Sequence, residues 1–302
     1  MSTRIGLLAL LLVGTSACVP ASTQTNKVVH YDPAKTKMGE IQQRGHIVIG
    51  IPSDYFPLGY VTPSGKAAGF TAGLGKLVAD ALGVSVRYVA RPSDRLLGLV
   101  DAGKADLVFP MIPITQDAAA AHPFTDPYLL AYQRLLVPRG SPIRGVADLG
   151  GKAVCSAIFR DTELPLTRLD PTVSLISVTH PARCAALLKS HRVAAATAPD
   201  VALLGLRRRL PGSQIVGDEL TTEGYGAAAS ACAPGLAQFA TRVFAVAKKN
   251  GQWARLYAKW VLPASGASAA PPPPTLTVID AWDLFPPTGR APSPTPVACP
   301  SP

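Results

Sequence analysis

His46-Ile47-Val48-Ile49-Gly50-Ile51 is an almost wholly apolar, β-branched run, the pattern of a strand covered on both faces. Downstream, Leu74 to Leu82 predicts a helix closed by Gly83, and Val84 to Val89 a second strand. Ser93 predicts the cap of a helix through Ala102, ended by Gly103, and Asp106-Leu107-Val108-Phe109 reads as a third strand. Leu135-Leu136-Val137 follows, and the alternation then restarts with strand Ala153-Val154-Cys155 and helix Pro181 to Ser190. Strand Val193 to Thr197, helix Asp200 to Arg209, and helices over Leu236 to Asn250 and Gln252 to Trp260 complete the series. Such alternation predicts α/β layering. At 302 residues the chain is long enough for two lobes, and no repeat of solenoid length occurs.

Hydrophobic residues at 48% and charged residues at 16% exclude a wholly disordered chain. The net charge of +10 would suit nucleic acid, an anionic membrane surface or an anionic solute. The N-terminus argues against nucleic acid. After Arg4, the apolar run Ile5 to Val13 spans about 14 Å at helical rise, too short for a hydrocarbon core of about 30 Å. With Gly14-Thr15-Ser16-Ala17 before Cys18, residues 1–17 read as a secretory signal peptide. The stretch resembles a bacterial lipobox, which implies that Cys18 is lipidated and that residues 18–40 tether the protein to a membrane. At the other end, residues 263–302 hold 12 of the 30 prolines, including Pro271 to Pro274, and are expected to be extended and coreless. Val278 to Phe285 is an apolar island in that tail, read as a strap on the protein's own surface or as a docking segment for a partner.

With Cys18 lipidated, Cys155, Cys184, Cys232 and Cys299 remain, an even number that implies pairing in an exported chain and allows three connectivities. None has Cys-x-x-Cys spacing and the five histidines are scattered, so no metal or cofactor is expected. Gly69 to Lys76 lacks the spacing of a phosphate loop, and neither Gly-x-Ser-x-Gly nor His-Glu-x-x-His occurs. Arg207-Arg208-Arg209 closes a predicted helix, where cations favour the macrodipole, and reads as a solvated face.

Several fragments lie in register from 46 to 260: HIVIGIPSDYFPLGY (46–60) with Gly65-Lys66 and Gly69-Phe70; Gly103-Lys104-Ala105-Asp106-Leu107-Val108; and Phe124-Thr125-Asp126-Pro127-Tyr128. Ser141-Pro142-Ile143 with Asp148-Leu149 and Gly151-Lys152, and Gly251-Gln252-Trp253 with Leu256 to Trp260, continue the series. Together they resemble the amino-acid-binding family (family 3) of bacterial extracellular solute-binding proteins, and within it the actinobacterial glutamate/glutamine-type lipoproteins. The resemblance implies the type II periplasmic-binding fold: two α/β lobes, 41–135 with 223–262 and 136–222, joined by two crossover strands. Those crossovers are expected near Leu135–Pro138 and Thr221–Gly226. Cys155 and Cys184 sit where such members carry a disulfide in the second lobe, which leaves Cys232 for Cys299.

The family's ligands are zwitterions, and a zwitterion taken from water must exchange each hydration bond for a fixed one. The carboxylate wants Arg and backbone N–H groups; the ammonium wants a carboxylate. Here the sequence departs from the family pattern. Ala118 stands where the carboxylate-clamping Arg is expected, Met111 and Pro113 where a Gly and a Thr are expected, and Pro199 where the ammonium-binding Asp falls. Tyr55 matches the family's aromatic lid and Thr115 a polar contact of the first lobe. Arg160, Asp161 and Thr162 fall on the loop that faces the cleft from the second lobe. Arg160, or else Arg95, is expected to clamp the ligand anion, and Asp200 or Asp161 to accept an ammonium.

The expected function is capture of a small polar, amino-acid-like ligand by lobe closure, without chemistry on it. A monomer, lipid-anchored on the extracytoplasmic face, would present the ligand to the permease of an ABC importer or to a membrane sensor. An interaction protein of the same fold with a degenerate ligand site is the rival. An enzyme on this fold would need a positioned acid or base at the motif positions, where neither His nor Glu occurs.

Overall fold

The run at 46–51 is the inner strand its pattern predicts. In the computed structural model, which describes residues 28–157, 163–178 and 181–284, α1 (Lys37–Arg44) leads into β1 (His46–Pro52). A small hairpin layer, β2 (Asp54–Tyr55), β3 (Gly59–Val61) and β4 (Ala67–Ala68), precedes α2 (Phe70–Leu82) and β5 (Ser85–Arg91). Next come α3 (Leu97–Asp101), β6 (Leu107–Val108), α4 (Gln116–Ala121) and β7 (Leu129–Val137). The second sheet adds β8 (Ala153–Ala157), α5 (Glu163–Leu169), β9 (Ser174–Val178), α6 (Pro181–Lys189), β10 (Ala195–Pro199), α7 (Asp200–Arg209) and β11 (Gln214–Val216). β12 (Thr222–Tyr225) pairs with β7 and β13 (Ala228–Ala229) joins the first sheet, followed by α8 (Pro234–Lys249), α9 (Gln252–Trp260), α10 (Leu262–Ser265) and α11 (Val278–Leu284).

The first sheet has the order β13-β6-β1-β5, with β1 parallel to both β5 and β6. Ile47, Ile49 and Ile51 are fully buried in one core with α2, α8 and Trp253, while Val48 packs into the smaller core of Leu96, Leu99 and Val108. The strand is thus covered on both sides, as a parallel sheet requires. Asp106 fixes the register at its start. Its buried carboxylate accepts the Val48 N–H at 2.7 Å and pairs with Arg44 at the end of α1, binding helix, central strand and neighbouring strand together.

The second sheet, order β11-β7-β10-β8-β9, is parallel among β8, β9 and β10 and antiparallel at β7. A disulfide joins Cys155 of β8 to Cys184 of α6, with Cα atoms 5.5 Å apart. β7 belongs to both halves of the molecule. Leu129–Tyr132 pairs with Tyr225–Thr222 of β12, and Gln133–Val137 continues into the second sheet against β10 and β11. These antiparallel strands are the two crossovers. The second falls where expected, but the first lies earlier than Leu135–Pro138, because one uninterrupted nine-residue strand passes through the junction and is already lobe-two sheet at Leu135.

Two further expectations are corrected. Ser93 caps no long helix: Ser93–Arg95 is a 3-10 turn and α3 begins only at Leu97. The strand expected at Val193–Thr197 is shifted two residues on, so Pro199 ends β10 and Asp200 begins α7.

The apolar island of the tail folds back as a helix. Thr277 caps α11 through Asp280, and the Val278 N–H donates to the Asp126 carboxylate at 3.1 Å. Ala281 is fully buried against the crossover strand β12, where Gly224 makes room: a Cβ there would sit 3.0 Å from that of Ala281. Lys248 of α8 clips the incoming chain, its Nζ donating at 2.7 Å to both Pro127 O and Pro274 O. The strap reading of Val278–Leu284 holds; Phe285 and the rest of the tail lie outside the described residues.

Candidate functional site

The hairpin after β1 and helix α7 face one another across the junction of the two sheets. Gly69, in the left-handed half of φ space at 112°, opens α2, and a Cβ on it would collide with Leu58 O. That close approach, with Thr71 Oγ1 donating to Leu58 O at 2.9 Å, seats the hairpin and projects Tyr55 and Phe56 toward the second lobe. From the other side, α7 arrives with Gly205 against Phe56 O and with the Arg208 guanidinium 4.5 Å from the Phe56 ring centroid, a cation–π contact between lobes. Between them lies a cavity of about 510 Å³, walled by Asp54, Tyr55 and Phe56, by Pro181 at the start of α6, and by Gly205, Arg208 and Arg209. Its volume is within the range of small-molecule sites, about 300–1,000 Å³.

Behind Tyr55 the crossover ribbon holds a buried polar cluster. Glu223 of β12 is fully buried and accepts from the Tyr225 hydroxyl at 3.0 Å and the Thr221 hydroxyl at 3.3 Å. Burial, only partly offset by those two hydrogen bonds, pushes its carboxyl up to about 7. Burial likewise holds the phenols of Tyr55 and Tyr225 above the usual tyrosine range. Asp200, at the first position of α7, accepts the Tyr132 N–H at 3.1 Å and the Val201 N–H at 2.7 Å. Desolvation raises its carboxyl despite these bonds.

Of the residues expected at the site, Tyr55 and Asp200 come together, on either side of the crossover ribbon. Thr115 is the N-cap of α4, its hydroxyl accepting the Ala118 N–H at 3.1 Å. Arg95 points to solvent from its 3-10 turn, 3.5 Å from the Asp94 carboxylate. Arg160, Asp161, Thr162, Cys18 and Cys299 lie outside the described residues. Cys232 is in a disulfide, and the partner expected for it, Cys299, is outside that range. Met111, where a glycine was expected, keeps glycine-like backbone at φ 52° and turns a buried thioether toward the Tyr128 hydroxyl at 3.7 Å. Among the described residues no group of three or more His, Cys, Asp or Glu could hold a metal ion, and no helix is long and apolar enough to cross a membrane.

The sequence reading missed three participants. Arg208 and Arg209, taken for a solvated helix end, line the cavity, and Arg207 donates to Ala264 O of α10. Glu223 was overlooked although it stood inside the expected second crossover, a lone carboxylate among Thr, Gly and Tyr residues.

Two lobes joined by paired crossover strands, with a solute-sized cavity in the crease, define a binding protein of the periplasmic type. The chain belongs to the bacterial extracellular solute-binding proteins, family 3, whose model matches residues 47–263, and it is an exported protein of that kind. It is 27% identical over 262 residues to the ABC transporter glutamine-binding protein GlnH of Bacillus subtilis (strain 168), covering 85% of this chain and 94% of that one. Its fold matches the solute receptor for L-cysteine of Neisseria gonorrhoeae, with a TM-score of 0.67 and 26% identity, over 78% of this chain and 97% of the receptor. It also matches an ancestral amino acid-binding protein, AncCDT-1, a precursor of cyclohexadienyl dehydratase, with a TM-score of 0.65 and 26% identity, over 74% and 99% of the two chains.

Proposed function

We propose that this protein captures a small amino-acid-like solute in the crease between its lobes, closes on it by bending the β7–β12 ribbon, and presents it to the permease of an ABC importer. The observation that carries this reading is the interlobe cavity of about 510 Å³ with charged and aromatic walls contributed by both lobes. The protein acts as a monomer, anchored through a lipid on Cys18, and does no chemistry on what it binds; its membership of a binding-protein family supports the last of these. Residues 41–132 with 223–262 and residues 133–222 form the two moving lobes, the first boundary being the point in β7 where pairing passes from β12 to β10. Arg160 and Asp161 remain candidate contacts from the second lobe, and calorimetry on Arg160→Ala tests the first of them.

A thermal-shift screen with the common amino acids tests the whole reading. A solute present at 100 times its dissociation constant adds about 2.7 kcal/mol of stability to the folded state. Absence of any shift would favour a second reading, a sensor or interaction protein with a degenerate site. The absence of a charge at Ala118 and at Pro199 is the observation behind that alternative.

A further inference from the structure

We infer that the last turn of α7 is an interlobe latch, in which Arg207 and Arg208 are positioning residues that hold the two lobes together through protein contacts alone. The inference rests on the hinged, two-lobed part of the solute-binding reading and adds how the joined arrangement is held. Three contacts leave this one turn of the second lobe and end on the first. Gly205 lies so close to Phe56 O that a Cβ on it would stand 3.0 Å from that oxygen. The Arg208 guanidinium lies 4.5 Å from the Phe56 ring centroid. Arg207 donates to Ala264 O of α10, one of the carbonyls that a helix end leaves open.

The receiving surface is one continuous rim of the first lobe. Phe56 packs edge-on against Tyr60, with ring centroids 5.2 Å apart, and Tyr60 packs against Trp260 at 6.3 Å. Trp260 ends α9, and α10, which carries Ala264, starts two residues on. Arg207 and Arg208 therefore grip the two ends of a single aromatic ladder. The other end of α7 is fixed at the pivot, where Asp200 accepts the Tyr132 N–H. Arg208 lies eight residues further along the helix, about 12 Å at helical rise, so a bend of about 20° at the pivot carries it about 4 Å. That takes the guanidinium beyond the ~6 Å reach of a cation–π contact and breaks the Arg207 hydrogen bond as well. A cation–π pair and a hydrogen bond from a charged donor together favour the joined lobes by about 10- to 100-fold.

Small-angle X-ray scattering on the full chain, in buffer without amino acids, tests this. Arg207→Met with Arg208→Met should raise the radius of gyration by about 1 Å, the scale of a hinge opening between two lobes of this size, while the chain still unfolds cooperatively. Phe56→Leu removes the ring from the first lobe and leaves α7 untouched. It should open the molecule in the same direction by less, and added to the arginine pair it should open it little further. A folded arginine variant that scatters as the wild type does overturns the inference. Where that variant does not fold, a Phe56→Leu chain that scatters as the wild type does overturns it instead. Neither arm contains a solute, so the amino-acid thermal-shift screen separates the two readings. A shift with any amino acid beside unchanged scattering refutes the latch and leaves solute binding standing; a silent screen beside opened variants refutes solute binding and leaves the latch.

Discussion

Replacing Glu223 with Gln should remove a pH-dependent loss of stability that the wild-type chain carries between about pH 4.5 and 7. In the folded protein the Glu223 carboxyl sits at about 7 against an ordinary 4.5, because burial in the crossover ribbon disfavours its charged form. Between those values the folded state holds a proton that the unfolded state has released. The group's favourable contribution is therefore complete below about 4.5 and is lost as the pH rises through about 7. A difference of this size corresponds to about 3 kcal/mol at most, at 1.36 kcal/mol per pH unit. Gln keeps an oxygen to accept from Tyr225 or Thr221 and has nothing to ionise. Urea unfolding of both chains at a series of pH values across that window reads the effect, as the difference between wild type and variant. Asp200 is also raised by burial and bends the wild-type curve in the same sense, so the comparison with the variant isolates Glu223. Parallel curves for the two chains from pH 5 to 7 would refute the reasoning.

Lys248→Met should cost about 1–3 kcal/mol through the two carbonyls left without their donor, and should speed proteolysis between Gly266 and Leu284; unchanged cleavage there would mean the clip does not hold the tail. Gly224→Val places carbon atoms where Ala281 and Pro127 already sit, 3.0 and 3.1 Å from the new Cβ. A loss of about 1–3 kcal/mol in a chemical melt, with faster hydrogen exchange in α11, is expected. Cys155→Ser with Cys184→Ser opens a cross-link between residues 29 apart and should cost about 3–4 kcal/mol on the chain-entropy estimate. The double variant should then melt below the oxidised wild type, and a variant as stable as the oxidised protein would contradict it.

Where pattern and burial coincide, the fold was legible. Ile47, Ile49 and Ile51 reveal a doubly covered strand because no solvent face interrupts the run, and Gly83 ends α2 because its left-handed backbone suits glycine. The first crossover was misplaced for a related reason. Leu129 to Val137 contains no Gly, Pro or turn residue, so nothing along it marks where one lobe gives way to the next. The site was legible only in part. Tyr55 could be found from its local motif, whereas Arg208 and Arg209 could not: a cation on a helix end looks the same whether it meets water or another lobe. Pro199 and Asp200 show the limit of matching by position: the carboxylate falls one residue on, where its Oδ1 accepts the N–H groups of Tyr132 and Val201.

Residues beyond 263 lie outside the stretch matched by the family model, yet α11 rests on β12, one of the two ribbons that must flex when the crease gapes. The seat is small: Ala281 in the notch of Gly224, with Val278 and Trp282 packed beside it and the Val278 N–H on Asp126. Tension applied to the chain after Leu284 would reach the pivot through this seat, before it reached either jaw.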